Sequence, residues 1–199
     1  MNILVCGGAG FIGSAFIKNY LKNNFDSKIT NLDVLTIGSN LENLKDVENN
    51  SNYKFIKDDI RNESVVDSLV KNTDVIINFA AESHVDRSIA NPKPFLDTNI
   101  VGTYSILEAT RKYDKQFIHV STDEIYGDAN GKSSFDENSH INPSNPYAAT
   151  KAAADHLVSS YHKTYGINCI TTRCTNNFGP NQFPEKLIPK TIIRSIKNL

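Results

Sequence analysis

The sequence predicts an α/β protein built on a doubly wound, parallel β-sheet with helices on both faces. Short apolar runs typical of buried strands alternate with helix-like segments along the chain, which is the pattern of successive βαβ units. The first run, residues 2–6, is followed at once by a glycine-rich turn and a helical segment that ends near Asn23. The 199 residues suffice for one domain with a sizeable core and a small second unit.

The other elements follow in order from apolar runs and from helix-boundary residues. Strands are predicted over residues 28–32, 53–57, 74–78, 116–121 and 168–173. Helices are predicted over residues 40–47, 63–71, 92–113 and 146–165, and at the end of the segment 184–199. Pro146 suits the first turn of its helix, and Gly166 is a typical C-cap residue. Residues 128–145 are rich in Gly, Ser, Asn and Pro and are predicted to form a loop.

Composition and charge argue against several classes of function. A formal net charge of −1 offers no electrostatic basis for binding nucleic acid or an anionic membrane. No apolar run approaches the roughly 20 residues of a membrane-spanning helix, and Met1 leads into a strand without the basic start of a signal peptide. Cys6, Cys169 and Cys174 have no metal-ligand spacing, so buried thiols and a cytoplasmic, reducing location are expected.

The glycine-rich turn after the first strand predicts a dinucleotide site. Gly7, Gly10 and Gly13 satisfy GxxGxxG, and Gly8 offers the related GxGxxG spacing. Glycine allows a tight turn and a close approach of the backbone to a pyrophosphate, while the following helix N-terminus presents free N–H groups. The alternative is a glycine-rich turn that serves only the packing of the helix on the strand. The strand–turn–helix context favours a Rossmann-type NAD site.

Asp33 ends the second predicted strand, about 20 residues after Gly13, where a dinucleotide site places its ribose-binding carboxylate. A carboxylate there also repels a 2′-phosphate, which favours NAD over NADP. The alternative is an ordinary loop aspartate, which the spacing disfavours.

Two adjacent carboxylates, Asp123 and Glu124, follow the strand that ends near Ser121. The carboxyl edge of an open α/β sheet is where ligands bind. A turn at this point could direct both side chains into one cleft, where different environments would give an acid and a base side by side. Taken alone, the pair is equally compatible with a solvated acidic loop.

Tyr147 and Lys151 lie one turn apart on the predicted helix 146–165, so their side chains share a face. A lysine cation near the phenol favours the phenolate and lowers the tyrosine pKa, which would make Tyr147 a general base. The spacing recurs by chance on many helices and gains meaning beside a dinucleotide site.

Small residues at the end of the fourth strand, Ala80 and Ala81, would let a cofactor pass close to the backbone. A dense polar segment, residues 82–88, follows them. Its plain interpretation is a loop that caps a helix, with Asp86 and Arg87 paired on the surface.

Together these motifs resemble the extended short-chain dehydrogenase/reductase superfamily and, within it, the dTDP-glucose 4,6-dehydratase family of nucleotide-sugar dehydratases, over essentially the whole chain. The general motifs are the glycine turn, Asp59–Ile60 and Tyr147-x-x-x-Lys151. The more specific ones are residues 80–88, 121–124, 173–182 and 184–189. Related sugar epimerases and decarboxylases usually lack the pair Asp123–Glu124, which makes this pair the most discriminating feature.

The resemblance implies a set of cofactor contacts. Residues expected to bind NAD are Gly7, Gly10, Phe11, Ile12 and Gly13 at the pyrophosphate, Asp33 at the ribose, Asp59 and Ile60 at the adenine, and Ala80, Ala81, Thr98, Tyr147, Lys151 and Asn177 along the remainder. Lys151 is expected on the nicotinamide ribose.

The resemblance also implies a reaction. Tyr147 would remove the 4-hydroxyl proton of the sugar, Glu124 would take the C5 proton, and Asp123 would protonate the departing 6-hydroxyl. Thr122 would hydrogen-bond the sugar O4. The product is a 4-keto-6-deoxyhexose nucleotide, as in deoxysugar biosynthesis. Substrate contacts are expected from Ser83, His84, Thr122, Asn176, Lys186 and Leu187.

The family's chains continue past the position of Leu199. We therefore expect an NAD-binding domain over residues 1–175 and the start of an incomplete substrate domain over residues 176–199. The expected partners are dTDP- or UDP-glucose and a second copy in a homodimer. Two other functions stay open, a sugar-nucleotide epimerase of the same fold and a non-catalytic NAD-binding module.

Overall fold

The computed structural model describes residues 1–129, 131 and 134–198. Its centre is a six-stranded sheet with the strand order β3-β2-β1-β4-β5-β6, and every neighbouring pair is parallel. The strands are β1 (Asn2–Cys6), β2 (Lys28–Leu32), β3 (Tyr53–Ile56), β4 (Val75–Asn78), β5 (Gln116–Thr122) and β6 (Cys169–Cys174). The predicted doubly wound sheet is confirmed. Asn130, Lys132 and Ser133 of the predicted loop, and Leu199, lie outside the described residues.

In the described part of the chain, seven α-helices connect or follow the strands. They are α1 (Phe11–Asn23), α2 (Glu63–Lys71), α3 (Val85–Ala90), α4 (Lys93–Phe95), α5 (Thr103–Tyr113), α6 (Pro146–Tyr165) and α7 (Leu187–Lys197). A 3-10 helix covers Leu41–Val47, close to the short helix expected there. Among the helices of the described ranges, none is both long enough and apolar enough to cross a membrane.

The helix expected over residues 92–113 is not a regular α-helix. A π-helical segment, Leu96–Gly102, separates α4 from α5. Gly102 packs directly on the Ile60 side chain, so that a Cβ at this position would collide with it. Asn99 within the segment bonds outside its own helix, to Glu82 and to Thr150 of α6. Such irregular turns often occur at functional sites.

Both faces of the sheet are buried, which explains why its central strands are almost wholly apolar. Successive side chains of β1 alternate between the two faces: Leu4 packs with α2, α5 and α6, whereas Val5 packs with α1 and the 3-10 helix. Phe117 of β5 lies on the first side and is fully buried. The helices are thereby held against the sheet, and their ends lie near the amino and carboxyl ends of the strands.

The strand order creates a crevice between β1 and β4. After β1 the chain winds outward through β2 and β3, then crosses back to β4 and continues in the opposite direction. Ligands bind at such a reversal, beyond the carboxyl ends of the strands. The turn after β1 and the residues after β4 meet here closely: a Cβ on Gly7 would lie 2.5 Å from the backbone nitrogen of Ala80.

This contact predicts different effects for two glycines of the same turn. Gly7 has a φ of 75° and no space for a methyl group, whereas a Cβ on Gly10 would lie 3.4 Å from its nearest neighbour, the Gly7 carbonyl oxygen. We expect Gly7→Ala to lower the free energy of unfolding by about 1–3 kcal/mol, and Gly10→Ala to change it by less than about 0.5 kcal/mol. Urea unfolding without added ligand measures both, and equal losses would contradict the explanation.

Candidate active site

A cavity of about 560 Å³ lies at the carboxyl edge of the sheet. It brings together residues that are far apart in sequence, from the first turn of the chain to the segment before α7. Most of the predicted site residues line it: Gly7, Gly10, Phe11, Ile12, Gly13, Asp33, Asp59, Ile60, Ala80, Ala81, Ser83, Thr98, Thr122, Glu124, Tyr147, Lys151, Asn176, Asn177 and Lys186. Asp123, His84 and Leu187 do not belong to the lining.

One end of the cavity is formed by the glycine turn and the start of α1. Gly10 is the N-cap residue of α1, and no side chain among the described residues caps this helix end. The first turn of an α-helix leaves backbone N–H groups without partners inside the helix. Since Phe11, Ile12 and Gly13 line the cavity, these donors and the positive end of the helix dipole face the space where an anion would bind.

Asp33 fastens this turn to the end of β2. Its carboxylate is buried and accepts hydrogen bonds from the backbone nitrogens of Ala9 (2.9 Å) and Leu35 (2.8 Å), and from Ser39 Oγ (3.4 Å). A carboxylate held by backbone donors is rigidly oriented. Asp33 therefore lines the cavity with a fixed negative charge.

Beyond Asp33, the cavity is bordered by an ion pair that the sequence had not suggested. Arg61 donates to the Asp59 carboxylate from Nε (3.0 Å) and Nη2 (2.6 Å), and its Nη1 lies 3.8 Å from Asp97. Burial alone raises the pKa of Asp59, but the hydrogen bonds from Arg61 outweigh this and hold that pKa below its usual value. The carboxylate stays ionised beside the apolar Ile60 side chain.

The opposite end of the cavity is formed where β5 ends. Thr122 Oγ1 accepts a hydrogen bond from the backbone nitrogen of Glu124 (3.2 Å), which starts a 3-10 helix over Asp123–Tyr126. Three residues per turn place neighbouring side chains about 120° apart. Glu124 therefore reaches the cavity, whereas half-buried Asp123 lies beside Thr122, with its Oδ1 3.4 Å from Thr122 Oγ1. The expected turn is present, but it brings only one of the two carboxylates to the lining.

Tyr147 stands at the start of α6 and faces the same end of the cavity. Its backbone nitrogen donates to Ser88 Oγ (3.1 Å), and its ring makes an edge contact with Phe95, with 6.4 Å between centroids. Burial, followed by the nearby Glu124 charge, raises the pKa of Tyr147 well above its usual value, while a hydrogen bond with Thr122 opposes the rise. The phenol is therefore protonated at neutral pH.

Lys151 is buried one turn further along α6 and directs its ammonium group to the Val120 carbonyl oxygen at 2.8 Å. Burial lowers the pKa of Lys151 to about 8, against the opposing charge of Asp155. The expectation that Lys151 lowers the pKa of Tyr147 is therefore wrong for this structure, because burial and Glu124 dominate at the phenol.

The segment before α7 closes one side of the cavity through charged contacts. Glu185 accepts a hydrogen bond from Arg87 Nη2 (2.9 Å), and its other carboxylate oxygen lies 3.4 Å from His84 Nε2. Lys186 Nζ donates to the Ser83 carbonyl oxygen at 3.2 Å. The expected surface pair of Asp86 with Arg87 is wrong, since Arg87 instead reaches across 98 positions to Glu185. Leu187 is 79% exposed.

Several lining residues were not identified from the sequence. Among them are Thr36, Ser39, Arg61, Asp97, Cys174, Gln182 and Phe183. Only Arg61 had a usable signal, a cation two positions after Asp59 at a strand end. Within residues 1–129, 131 and 134–198, no cluster of three or more His, Cys, Asp or Glu side chains could hold a metal ion.

Comparison with known proteins identifies the family that shares this arrangement. The family model described as GDP-mannose 4,6 dehydratase matches residues 4–199. The chain belongs to this family. The expected nucleotide-sugar dehydratase relationship is confirmed.

Curated relatives of this dehydratase family match nearly the whole chain. The Low-salt glycan biosynthesis protein Agl12 of Haloferax volcanii is 50% identical over 197 residues, which cover 98% of this chain and 63% of that protein. The dTDP-glucose 4,6-dehydratase of Escherichia coli is 46% identical, over 98% of this chain and 60% of its own length. The chain thus spans about three fifths of the length of these relatives.

Solved structures show the same fold. The dTDP-glucose 4,6-dehydratase of Bacillus anthracis in complex with NAD is 42% identical, with a TM-score of 0.93 over 100% of this chain and 62% of that one. The UDP-glucuronic acid 4-epimerase of Bacillus cereus has the same TM-score of 0.93 at 31% identity, over 100% of this chain and 64% of that one. Fold alone therefore does not separate dehydratase from epimerase.

The contacts of Glu185 predict a local change in stability. Glu185→Gln removes the charge that Arg87 and His84 share, so we expect the segment 183–190 to open more readily. For a half-exposed ion pair the loss is about 1 kcal/mol, or about a fivefold rise in amide hydrogen exchange. Mass-spectrometric exchange measures it, and Glu42→Gln, in the exposed pair with Lys45, is the control. Unchanged exchange in segment 183–190 would show that the contacts do not hold it.

Proposed function

We propose that the protein is an NAD-dependent nucleotide-glucose 4,6-dehydratase, a hydro-lyase acting on dTDP- or UDP-glucose. The observation that carries the proposal is the position of Thr122, Glu124 and Tyr147 in one cavity with the glycine turn, with Asp123 next to Thr122. Relatives named dTDP-glucose 4,6-dehydratase support it at 44–47% identity. Residues 1–175 serve as the cofactor domain, and residues 176–199 begin a substrate domain.

The residues present fit NAD. The start of α1, which no described side chain caps, suits a pyrophosphate, and Gly10 lines the cavity there without adding a side chain. Asp33 is oriented to accept hydrogen bonds from ribose hydroxyls, and Ala80 leaves room beside the backbone. Asp59, Ile60, Thr98, Lys151 and Asn177 line the rest of the proposed cofactor site. When bound, NAD supplies the acceptor for a hydride from C4 of the sugar and later the donor to C6.

Tyr147 takes the proton of the 4-hydroxyl group through its phenol oxygen. Tyr147 can accept this proton only as the phenolate, so its phenol must first lose its own proton to solvent. Because the pKa of Tyr147 is raised, a nearby cation has to stabilise the phenolate. Lys151, on the same face of α6, is the cation nearest in sequence and lines the same cavity. Thr122 hydrogen-bonds the phenol and the sugar O4, which aligns the two oxygens.

The two carboxyl groups then remove water across C5 and C6. The ketone at C4 acidifies the C5 proton, and Glu124, which faces the cavity, takes it. Asp123 protonates the departing 6-hydroxyl from its position beside Thr122. Because Asp123 lies outside the cavity lining beside Thr122, its side chain has to turn toward the sugar to act at C6 while Glu124 acts at C5.

The substrate's diphosphate and sugar are held from the side opposite the glycine turn. Lys186, Ser83 and Asn176 line that side, and Lys186 provides a point charge for a phosphate group. His84 and Leu187 lie just outside the lining and would contact the nucleotide as part of the same wall. We further propose that the enzyme is a cytoplasmic homodimer without nucleic-acid or membrane partners.

The epimerase alternative rests on the shared fold. The epimerase neighbour is less similar, at 31% identity, than the dehydratases. Epimerisation requires no acid–base pair at C5 and C6, so it leaves Asp123 and Glu124 without a role. Mass analysis of the product separates the candidates, since dehydration removes one water, epimerisation changes no mass, and an NAD-binding module yields no product.

We predict that NAD binds at least about tenfold more tightly than NADP, because a 2′-phosphate would meet the buried, like-charged Asp33. Calorimetric titration with the two cofactors measures the ratio. Asp33→Asn should narrow it, while exposed Asp26→Asn should leave it unchanged. Equal affinities for NAD and NADP in the unaltered protein would rule out the ribose role of Asp33.

We predict that Asp123→Asn and Glu124→Gln slow elimination about 10²–10⁴-fold, because each removes a positioned acid or base. Oxidation at C4 should change much less, whereas Tyr147→Phe should abolish it. Single-turnover NADH absorbance and product mass in the full-length protein report the two steps separately. Exposed Asp128→Asn is the matched control. Elimination at the unaltered rate in both carboxylate variants would disprove their roles.

A further inference from the structure

A row of buried polar groups lies behind Lys151, on the side away from the cavity. Lys151 and Asp155 are one turn apart on α6, and His119 of β5 projects between them. His119 Nε2 lies 3.5 Å from Lys151 Nζ and also 3.5 Å from Asp155 Oδ1. The imidazole therefore touches both charged groups with the same nitrogen.

The row continues to the surface through Asp155. Its second carboxylate oxygen accepts a hydrogen bond from Arg173 Nε at 3.0 Å, and Arg173 Nη1 donates to Tyr126 OH at 2.7 Å. The side chain of Asp155 is 2% exposed and that of His119 is fully buried. A carboxylate taken so far out of water is retained only when cations compensate it, here Lys151 and Arg173.

Two atoms of this row are not satisfied. Among the described residues, no hydrogen bond reaches His119 Nδ1 or Asp155 Oδ1, although both atoms are buried. With its proton on Nε2, the imidazole would donate to Asp155; with its proton on Nδ1, it would accept from Lys151. One nitrogen cannot do both at once. Buried unpaired atoms carry a cost that packing alone does not explain.

Resting on the proposed function, we infer that His119 and Asp155 are positioning residues for Lys151. The Asp155 charge keeps the buried lysine protonated. Neutral His119 holds the ammonium group in its hydrogen bond with the Val120 carbonyl, a position from which Lys151 faces the cavity. Neither residue lines the cavity or reaches the substrate. They act through Lys151 alone.

The electrostatics support this arrangement. Burial, followed by the Lys151 charge, lowers the pKa of His119 well below its usual value, so the imidazole is neutral. Burial lowers the pKa of Lys151 to about 8, and Asp155 opposes that fall. Asp155 on α6, Cys174 on β6 and His119 on β5 act on the lysine directly. Tyr147 on α6 and Glu124 on the 3-10 helix line the same cavity, and Arg173 on β6 and Tyr126 on the 3-10 helix continue the row beyond Asp155.

The charge of Lys151 sets the pH dependence of the hydride step. The protonated lysine is lost as pH rises through its pKa, so a hydride step that needs the cation declines on the alkaline side. Removing the Asp155 charge, or replacing His119 with an apolar ring, disfavours the ammonium form and lowers its pKa. The alkaline decline should then move to lower pH.

The test uses the full-length protein with NAD and dTDP-glucose. Single-turnover NADH formation is measured across pH for His119→Phe, which keeps a planar ring without the ring nitrogens, and for Asp155→Asn. Both should move the alkaline decline down by about one pH unit, with about a tenfold loss of rate above pH 8. In His119→Gln, the side-chain amide can replace the hydrogen bond of Nε2, so this variant should keep the pH profile of the unaltered protein. Exposed His156→Gln on the same helix is the control.

Melting temperatures separate a structural role from a positioning one. Lower melting temperatures with an unmoved pH profile in His119→Phe and Asp155→Asn would overturn the inference and leave the proposed function intact. If His119→Phe does not fold, the pH profile and melting temperature of Asp155→Asn alone distinguish the two roles. An unaltered protein that neither binds NAD nor forms NADH would overturn the proposed function, and this inference with it.

Discussion

The structure depends on one constraint, the close contact between the turn after β1 and the residues after β4. Neighbouring parallel strands bring Gly7 and Ala80 so near that neither backbone leaves space for a side chain at Gly7. This contact sets the floor of the cavity and fixes the start of α1. The cofactor end of the proposed site is therefore as rigid as the sheet itself.

Burial governs the chemistry at the other end. Tyr147 contacts Ser88 and Phe95, and Lys151 of the same helix reaches the Val120 carbonyl of β5, so both the phenol and the lysine are buried. Desolvation then moves the two pKa values in opposite directions, because it disfavours phenolate and ammonium alike. The spacing along the helix suggests that the lysine charge sets the pKa of the tyrosine. In the folded protein, however, burial is the largest influence on the pKa of each group.

Much of the fold could be predicted because its signals are local. Apolar runs marked the six strands to within one or two residues, and Pro146 and Gly166 marked the ends of α6. The π-helical segment Leu96–Gly102 could not be predicted, since it depends on Ile60 and on the partners of Asn99. Most proposed site residues do line one cavity, whereas Asp123 does not, because the 3-10 turn separates it from Glu124.

The sequence alone determined which chemical groups the protein carries and the order in which strands and helices occur, because glycine turns, apolar runs and helix-boundary residues act over a few positions. It also supplied the motifs that indicated the nucleotide-sugar dehydratase family. Only the tertiary structure decided which charges meet. Arg87 pairs with Glu185, and Arg173 pairs with Asp155. Ion pairs across the fold form where packing brings side chains together, and sequence spacing does not encode those distances.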